Sequence, residues 1–316
     1  MDDSLIFAAC APGLEPFLAA ELRRLGLLAR ELSGGVEARG ADAVALACLG
    51  ARAADAVALR LYDGPAPGLA EALRAARRRF GKGADLAVRR QGGWASLSID
   101  AVGAPLYRRG WRARVGAAPL RESLAAGMLL AAGYDGTRVL LDPMCGSGTI
   151  AIEAAEMAIR RPPGGARRFA FEGWPEHDPA RTGALRAKLR AEERAAPAGV
   201  LASDRNAGAL RLAAKNAAAA GLEHLIRFER LDAARVLPPP APALIAVNPP
   251  YGLRLASEVE SAWQALGALL GRAEGLAAVV LAPERRLERL LPRRPARAIP
   301  LRNGGLACRL LLFEPG

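Results

Sequence analysis

The 316-residue chain is poor in lysine and histidine: Lys82, Lys188 and Lys215 are the lysines among 44 basic residues, and His177 and His224 are the histidines. Two isolated histidines give little support to a metal centre or to imidazole-based catalysis. Cys10, Cys48, Cys145 and Cys308 form no C-x-x-C pair, so neither a disulfide framework nor a zinc site is expected. No run of about eighteen uncharged apolar residues occurs, which excludes an ordinary membrane-spanning helix. The acidic start "MDDSLIFAACAPGLEPF" lacks the basic flank of a signal peptide, so the expectation is a soluble, cytoplasmic protein.

What is abundant is arginine. A formal net charge of +12 points toward a polyanionic partner, although the high Ala, Arg, Gly and Pro content is also what a GC-rich genome produces. Distribution is more informative than the total. Residues 74–114 hold eleven basic side chains against Asp85 and Asp100, with Tyr107 and Trp111 interleaved. Such a block suits a phosphate backbone with stacking surfaces, and equally a solvated helix face followed by a basic linker.

The length suits two domains, and 52% hydrophobic residues suffice to bury both cores. The first part reads as a strand ("LIFAACA"), a helix ("PGLEPFLAAELRRLGL"), a second helix-like run ("ADAVALACLGARAADAVALRLY"), a third helix ("LAEALRAARRRF") and two strands ("DLAVRRQ", "WASLSIDAVG"), a small α+β arrangement. Periodicity lapses near residues 103–118 and resumes with the helix "LRESLAAGMLLAAG". From there strands and helices alternate through "TRVLLDPM", "GVLASDRN", "LIRFERLDA", "ALIAVNPP" and "GLAAVVLAP", and the chain closes on two strands with no helix between them. Alternation of this kind predicts an open, mostly parallel sheet covered on both faces, with an antiparallel edge hairpin. Residues 161–199 break the rhythm and read as an insertion whose Phe169, Phe171 and Trp174 either pack on a core or rim a cleft.

Chemistry is expected at the ends of the strands. "VLLDPMCGSGTIAIEAA" sets a strand, an acid, a Gly-x-Gly turn and a helix in order, the place where backbone N–H groups meet a ligand in a doubly wound sheet. Met144 occupies the first glycine position of the dinucleotide fingerprint, which disfavours a nicotinamide cofactor. Asp204 follows the next strand and suits ribose hydroxyls; Asp232 follows the one after and suits an adenine amine. Alone, each aspartate reads as a helix N-cap. Three acids at three successive strand ends favour a ligand. In "VNPPYGLRL" the two prolines end a strand and hold Asn248 and Tyr251 on a stiff segment. An exocyclic amine of a nucleobase is a poor nucleophile because its lone pair is delocalised. If the Asn248 oxygen and the Pro249 carbonyl accept its N–H bonds, the nitrogen turns tetrahedral toward a methyl donor, with the base stacked on Tyr251.

With these residues in place, the sequence resembles the THUMP-domain class of RNA guanine-N2 methyltransferases, the group that includes a 23S ribosomal RNA enzyme. The similar segments are "GLEPFLAAELRRLG", "YRRGWR" with "APLRESLAAGMLLAAGY", "LLDPMCGSGTIAIEAAEMA", "FEGWPEHD", "SDRNAGALRLAAKNAAAAGL" and "VNPPYGLRL". The resemblance implies an α/β fold: a Rossmann-like, S-adenosylmethionine-dependent methyltransferase with a mostly parallel seven-stranded sheet, preceded by a small α+β, THUMP-like RNA-binding domain. The implied boundaries are 1–105, a linker at 106–118, and 119–316. It also implies cofactor contacts at Ser123, Asp142, Met144, Cys145, Gly146, Gly148, Thr149, Asp204, Asp232 and Asn248. The NPPY motif, Asn248, Pro249, Pro250 and Tyr251, would be catalytic, and Arg89, Arg90, Arg108, Arg109 and Arg112 would contact RNA; no metal is implied. The stretch between "RLYDG" and "DLAVRRQ" is shorter than in a full THUMP domain. The competing expectations are an adenine-N6 or tRNA guanine-N2 methyltransferase, and a non-catalytic RNA-binding assembly factor.

Overall fold

The computed structural model describes residues 4–112, 120–251 and 256–315. Residues 113–118 of the expected linker, Arg114 of the basic block, and Leu253 and Arg254 beyond Tyr251 lie outside the described residues. The chain divides into two units: Met1–Cys10, Leu14–Tyr107 and Pro162–Glu192 form one, and Ala11–Gly13, Arg108–Arg161 and Glu193–Gly316 the other.

The first unit runs β1 (Ser4–Ala9), α1 (Glu15–Arg24), β2 (Leu28–Leu32), β3 (Gly35–Gly40), α2 (Ala43–Gly50), β4 (Ala56–Pro65), α3 (Leu69–Phe80), β5 (Leu86–Gln91) and β6 (Trp94–Asp100). Its antiparallel sheet has the order β2-β3-β1-β4-β6-β5. Strand alternation sets the layers: Ile6 and Ala8 are buried while Leu5, Phe7 and Ala9 are half-buried. Two expectations are corrected here. The helix-like run at 41–62 is a helix only to Gly50; from Ala56 it is a strand, because Val57 and Leu59 bury on one face while β1 and β6 pair with it on either side. Cross-strand pairing there outweighs the helix preference of alanine. The hairpin β2–β3 was not expected, since "LAREL" and "GVEARG" carry little apolar signal.

The third correction concerns the insertion. Residues Pro162–Glu192, with α6 (Pro179–Arg190), belong to the first unit and not to the 119–316 domain. Gly164 lies so close to α2 that an added Cβ would stand 2.3 Å from the Cys48 carbonyl oxygen, and its N–H donates to Leu49 O at 3.0 Å. Phe169, Phe171 and Trp174 are buried; Phe171 meets His177 edge-on at 5.7 Å and Trp174 meets Phe80 at 5.3 Å. The aromatics therefore pack within the first unit, where their apolar surface is buried.

The second unit runs α4 (Glu122–Ala131), β7 (Val139–Asp142), α5 (Thr149–Ala158), β8 (Val200–Ser203), α7 (Ala207–Ala219), β9 (Ile226–Glu229), β10 (Ala243–Val247), α8 (Ala256–Arg272), β11 (Ala277–Ala282), α9 (Arg285–Glu288), β12 (Arg297–Asn303) and β13 (Leu306–Phe313). The seven strands order as β12-β13-β11-β10-β7-β8-β9. The five from β11 to β9 are parallel, and β13 is antiparallel to both β11 and β12. β10, "ALIAV", is buried at every position, as a central parallel strand covered on both faces must be. Ile245, Val247 and Val280 pack with Trp263, Leu266 and Leu270 of α8.

Candidate active site

Strand order reverses at β7: β8 lies on one side of it and β10 on the other. In an open α/β sheet the crevice at such a switch point, beyond the carboxyl ends, is where ligands bind. Asp142 ends β7, Asp204 follows β8, Asp232 follows β9 and Asn248 follows β10.

The loop after β7 is pinned from three sides. Cys145 N–H donates to Ser203 O at 2.9 Å, Gly146 N–H to Asp204 Oδ2 at 2.9 Å, and buried Asn216 of α7 donates Nδ2–H to Ser147 O at 3.0 Å. Gly148 caps α5 with φ of 83°, a left-handed backbone that suits glycine, and a Cβ there would stand 3.1 Å from Ala213 Cβ. Asp204 also accepts from Asn206 N–H at 2.8 Å, and Asp232 from Ala234 N–H at 2.9 Å. Each carboxylate organises its own turn and keeps accepting capacity for a ligand.

Asp142 differs from both. It is 1% exposed, one oxygen lies 3.4 Å from the Met144 N–H, and Oδ2 has no partner among the described residues. Burial pushes its carboxyl well above the usual carboxylate range; the Met144 N–H opposes the shift and the Asp204 charge adds to it. Burial and the charges of Asp142 and Asp204 also push the Cys145 thiol up, which disfavours its reactive thiolate.

Beyond β10, Trp263 Nε1–H donates to Pro250 O at 3.2 Å, tying the double proline to the core of α8. The Tyr251 hydroxyl accepts from Asn303 Nδ2–H at 2.6 Å. Asn248 Oδ1 is buried and has no partner among the described residues.

These groups surround a cavity of about 550 Å³. That volume lies in the range of small-molecule and cofactor sites. Asp142, Met144, Cys145, Gly146, Thr149, Asp204, Asp232 and the segment Asn248–Tyr251 all line it. Two expected contacts do not. Ser123 is buried in α4, and Gly148 shapes the turn without facing the cavity. Sequence reading missed Leu120, Ser147, Asn206 and Glu258. Asn206 carried a signal, an N-cap directly before α7; Glu258 on α8 carried none.

Two expected RNA contacts are also corrected. The Arg109 side chain is 3% exposed and pairs at 3.0 Å with Glu153 of α5, which is fully buried. Arg112 donates to Glu122 Oε1 at 3.0 Å, Leu120 O at 3.0 Å and Thr149 Oγ1 at 2.9 Å. A guanidinium held this way closes a buried carboxylate rather than meeting a phosphate. Arg109→Ala is expected to destabilise the fold by about 3–5 kcal/mol by stranding the Glu153 charge, read from the urea midpoint. A loss no larger than that of an exposed arginine such as Arg108 would remove the pair from the core. Arg89, Arg90 and Arg108 are exposed.

A mostly parallel sheet, a ligand crevice at its switch point, acids after three adjacent strands and an Asn-Pro-Pro-Tyr segment after a fourth define a Rossmann-like methyltransferase domain. Residues 109–311 match the family described as RMKL-like, methyltransferase domain, and the chain belongs to that family. Residues 5–58 match the RlmL ferredoxin-like domain, in keeping with the β1-α1-β2-β3-α2-β4 order of the first unit. Among relatives, the chain is 38% identical over 225 residues to the ribosomal RNA large subunit methyltransferase K/L of Vibrio campbellii, and 42% identical over 170 residues to that of Psychromonas ingrahamii. These matches cover 68% and 52% of this chain but 32% and 23% of those longer proteins. Of solved structures, one from Listeria monocytogenes described as a predicted N6-adenine-specific DNA methylase is 25% identical, with a TM-score of 0.90 over 100% of this chain and 97% of that one. TrmN from Thermus thermophilus shares the fold, with a TM-score of 0.70 at 23% identity over 99% of each chain.

Proposed function

We propose that this protein uses S-adenosylmethionine to methylate the exocyclic N2 amine of a guanine in ribosomal RNA in the cytoplasm. The observation that carries the reading is the buried Asn248 Oδ1, without a partner among the described residues, at the cavity that Asp142, Asp204 and Asp232 also line. Those residues fit the cofactor. Asp204 suits ribose hydroxyls, Asp232 an adenine amine, and the 142–149 loop with its orphaned Asp142 oxygen a cationic amino-acid end. The cofactor supplies an electrophilic methyl group. Asn248 Oδ1 and the Pro249 carbonyl take the two N–H bonds of the base amine, which localises its lone pair, while the Tyr251 ring stacks on the base. The two K/L relatives are named as ribosomal RNA methyltransferases, which supports RNA as the substrate.

A second reading, transfer to adenine N6, is favoured by the name of the Listeria structure, and the Asn-Pro-Pro-Tyr geometry serves either amine. Methyl transfer from labelled cofactor into unmodified ribosomal RNA and tRNA, followed by nucleoside digestion and mass spectrometry, decides it. N2-methylguanosine supports the first reading and N6-methyladenosine the second. No labelled nucleoside from any RNA would sink both.

The first unit is the RNA-binding module of this proposal, a shortened THUMP-like region. With Arg109 and Arg112 spent inside the fold, the phosphate contacts fall to Arg89 and Arg90, to Arg108 of the second unit, and to the exposed ridge Arg74, Arg77 and Arg78 of α3, which recurs at helical spacing away from buried Leu69 and Ala76. Like charges at that spacing cost a few tenths of a kcal/mol per pair, which a polyanion relieves. Replacing the three with Gln is expected to weaken RNA binding and flatten its log–log salt slope by about 2. An unchanged slope would make the ridge an ordinary solvated face.

A further inference from the structure

The sheet of the first unit has two unlike faces. On one, Ala95 and Leu97 of β6 are at most 1% exposed and pack with Leu69 and Ala76 of α3. Trp94, Ser96 and Ser98 alternate to the other face, where Trp94 is 52% exposed. The strand ladder sets Arg60 opposite Ser98 and Arg89 opposite Ser96, and it brings Phe7 to the same face through Ala58, which stands between Phe7 and Asp100. Phe7 is half-buried there. A Cβ added to Gly35 of the neighbouring strand would stand 2.6 Å from Phe7 Cζ, so this glycine leaves room for the ring.

Two guanidinium groups converge on that ring: those of Arg60 and Arg89 each lie 5.7 Å from its centroid. Like charges gathered on one ring repel, and among the described residues neither has a carboxylate partner. Arg60 donates Nη1–H to Ser98 Oγ at 3.2 Å, while its Nε is buried with no partner among the described residues. An incoming anion stabilises cations held in this way. Further along the face, the Trp94 indole is fixed by its Nε1–H bond to Asp63 Oδ1 at 2.6 Å.

We propose that this sheet face binds an unpaired stretch of RNA, with bases stacked on Phe7 and Trp94 and phosphates held by Arg60 and Arg89. The proposal rests on the reading that this protein acts on RNA. Stacking needs the open face of a base, which neighbouring pairs cover in a duplex, so the rings select unpaired segments and the arginines add affinity of little sequence dependence. The site is separate from the α3 ridge, because α3 packs on the opposite face of the sheet.

Fluorescence anisotropy tests it, with the full chain, a labelled unstructured oligoribonucleotide of about ten nucleotides and a duplex of the same length. Phe7→Leu and Trp94→Leu should each weaken single-strand binding by about five- to a hundredfold and leave duplex binding within about twofold. Trp94→Phe keeps a ring and should bind close to the parent. Arg60→Gln with Arg89→Gln should flatten the log–log salt slope by about 1.4, the value for two phosphate contacts on a single strand. Leucine keeps apolar bulk at residue 7, Trp94 is exposed, and thermal unfolding checks that each variant folds. Photocrosslinking of a 4-thiouridine oligonucleotide to the parent should mark peptides that carry Phe7 or Trp94. Parental single-strand affinity in both leucine variants, equal losses on the duplex, or crosslinks confined to other peptides would overturn the sheet face while the RNA reading stood. Failure of the parent to bind any RNA would overturn that reading itself.

Discussion

Asp142→Asn is expected to weaken S-adenosylmethionine binding by at least about a hundredfold while leaving the ligand-free protein as stable as the parent or more so. The carboxyl is 1% exposed, one oxygen has no partner among the described residues, and burial holds it well above the usual carboxylate range. A cationic ligand group meeting it supplies the missing partner. Breaking such a buried charged pair costs about 3–5 kcal/mol, which is more than a hundredfold in affinity. In the ligand-free protein the same carboxyl is a burden. Asparagine keeps the acceptor facing the Met144 N–H and carries no charge to bury.

The pH dependence follows with a definite sign. Asp142 has a folded pKa raised above its unfolded value, so the folded protein holds a proton that the unfolded chain releases. Its contribution to stability is fully present below the unfolded value of 3.8 and is lost as pH rises through the raised folded value. The stability advantage of Asp142→Asn should therefore widen across that window. A cationic ligand favours the ionised carboxylate, so binding expels the proton. Cofactor affinity should rise with pH up to the free protein's raised value and level off above it, and Asp142→Asn should abolish that slope. Calorimetric titration at several pH values, beside thermal unfolding of both proteins, reads all of this. Parental affinity in the variant would exclude Asp142 from the cofactor site.

Asn248→Ala is expected to lower methyl transfer by about 10²–10³ while cofactor affinity stays within a few-fold of the parent. Removing a preorganised hydrogen-bonding group aimed at the reacting atoms carries a cost of that size. Since Asn248 Oδ1 has no partner among the described residues, truncating it strands no donor there. Single-turnover transfer and calorimetry on one preparation separate chemistry from binding. Turnover within threefold of the parent would remove Asn248 from the mechanism.

The short-range signals were the legible ones. A strand, an acid, glycines and a helix follow one another within residues 139–158, so Asp142, Cys145 and Gly146 could be read without knowing the fold, and the same holds for Asn248 after "ALIAV". What misled was composition without position. Arginines at 109 and 112 look alike as letters to those at 89 and 90, yet the first two neutralise buried Glu153 and Glu122. Alanine-rich residues 56–62 carry helix propensity, and only pairing with β1 and β6 made them strand.

By itself, the sequence determined the alternating architecture of residues 119–316, the strand-end acids and the Asn-Pro-Pro-Tyr segment, because each rests on periodicity or on neighbours a few residues apart. Tertiary structure alone decided that Pro162–Glu192 packs with the first unit, that Ser123 lies outside the cavity, and that Asn303 holds Tyr251. Those outcomes depend on contacts between residues tens of positions apart, whose partners exist only after the sheets have formed and burial has chosen which charges and amides must meet.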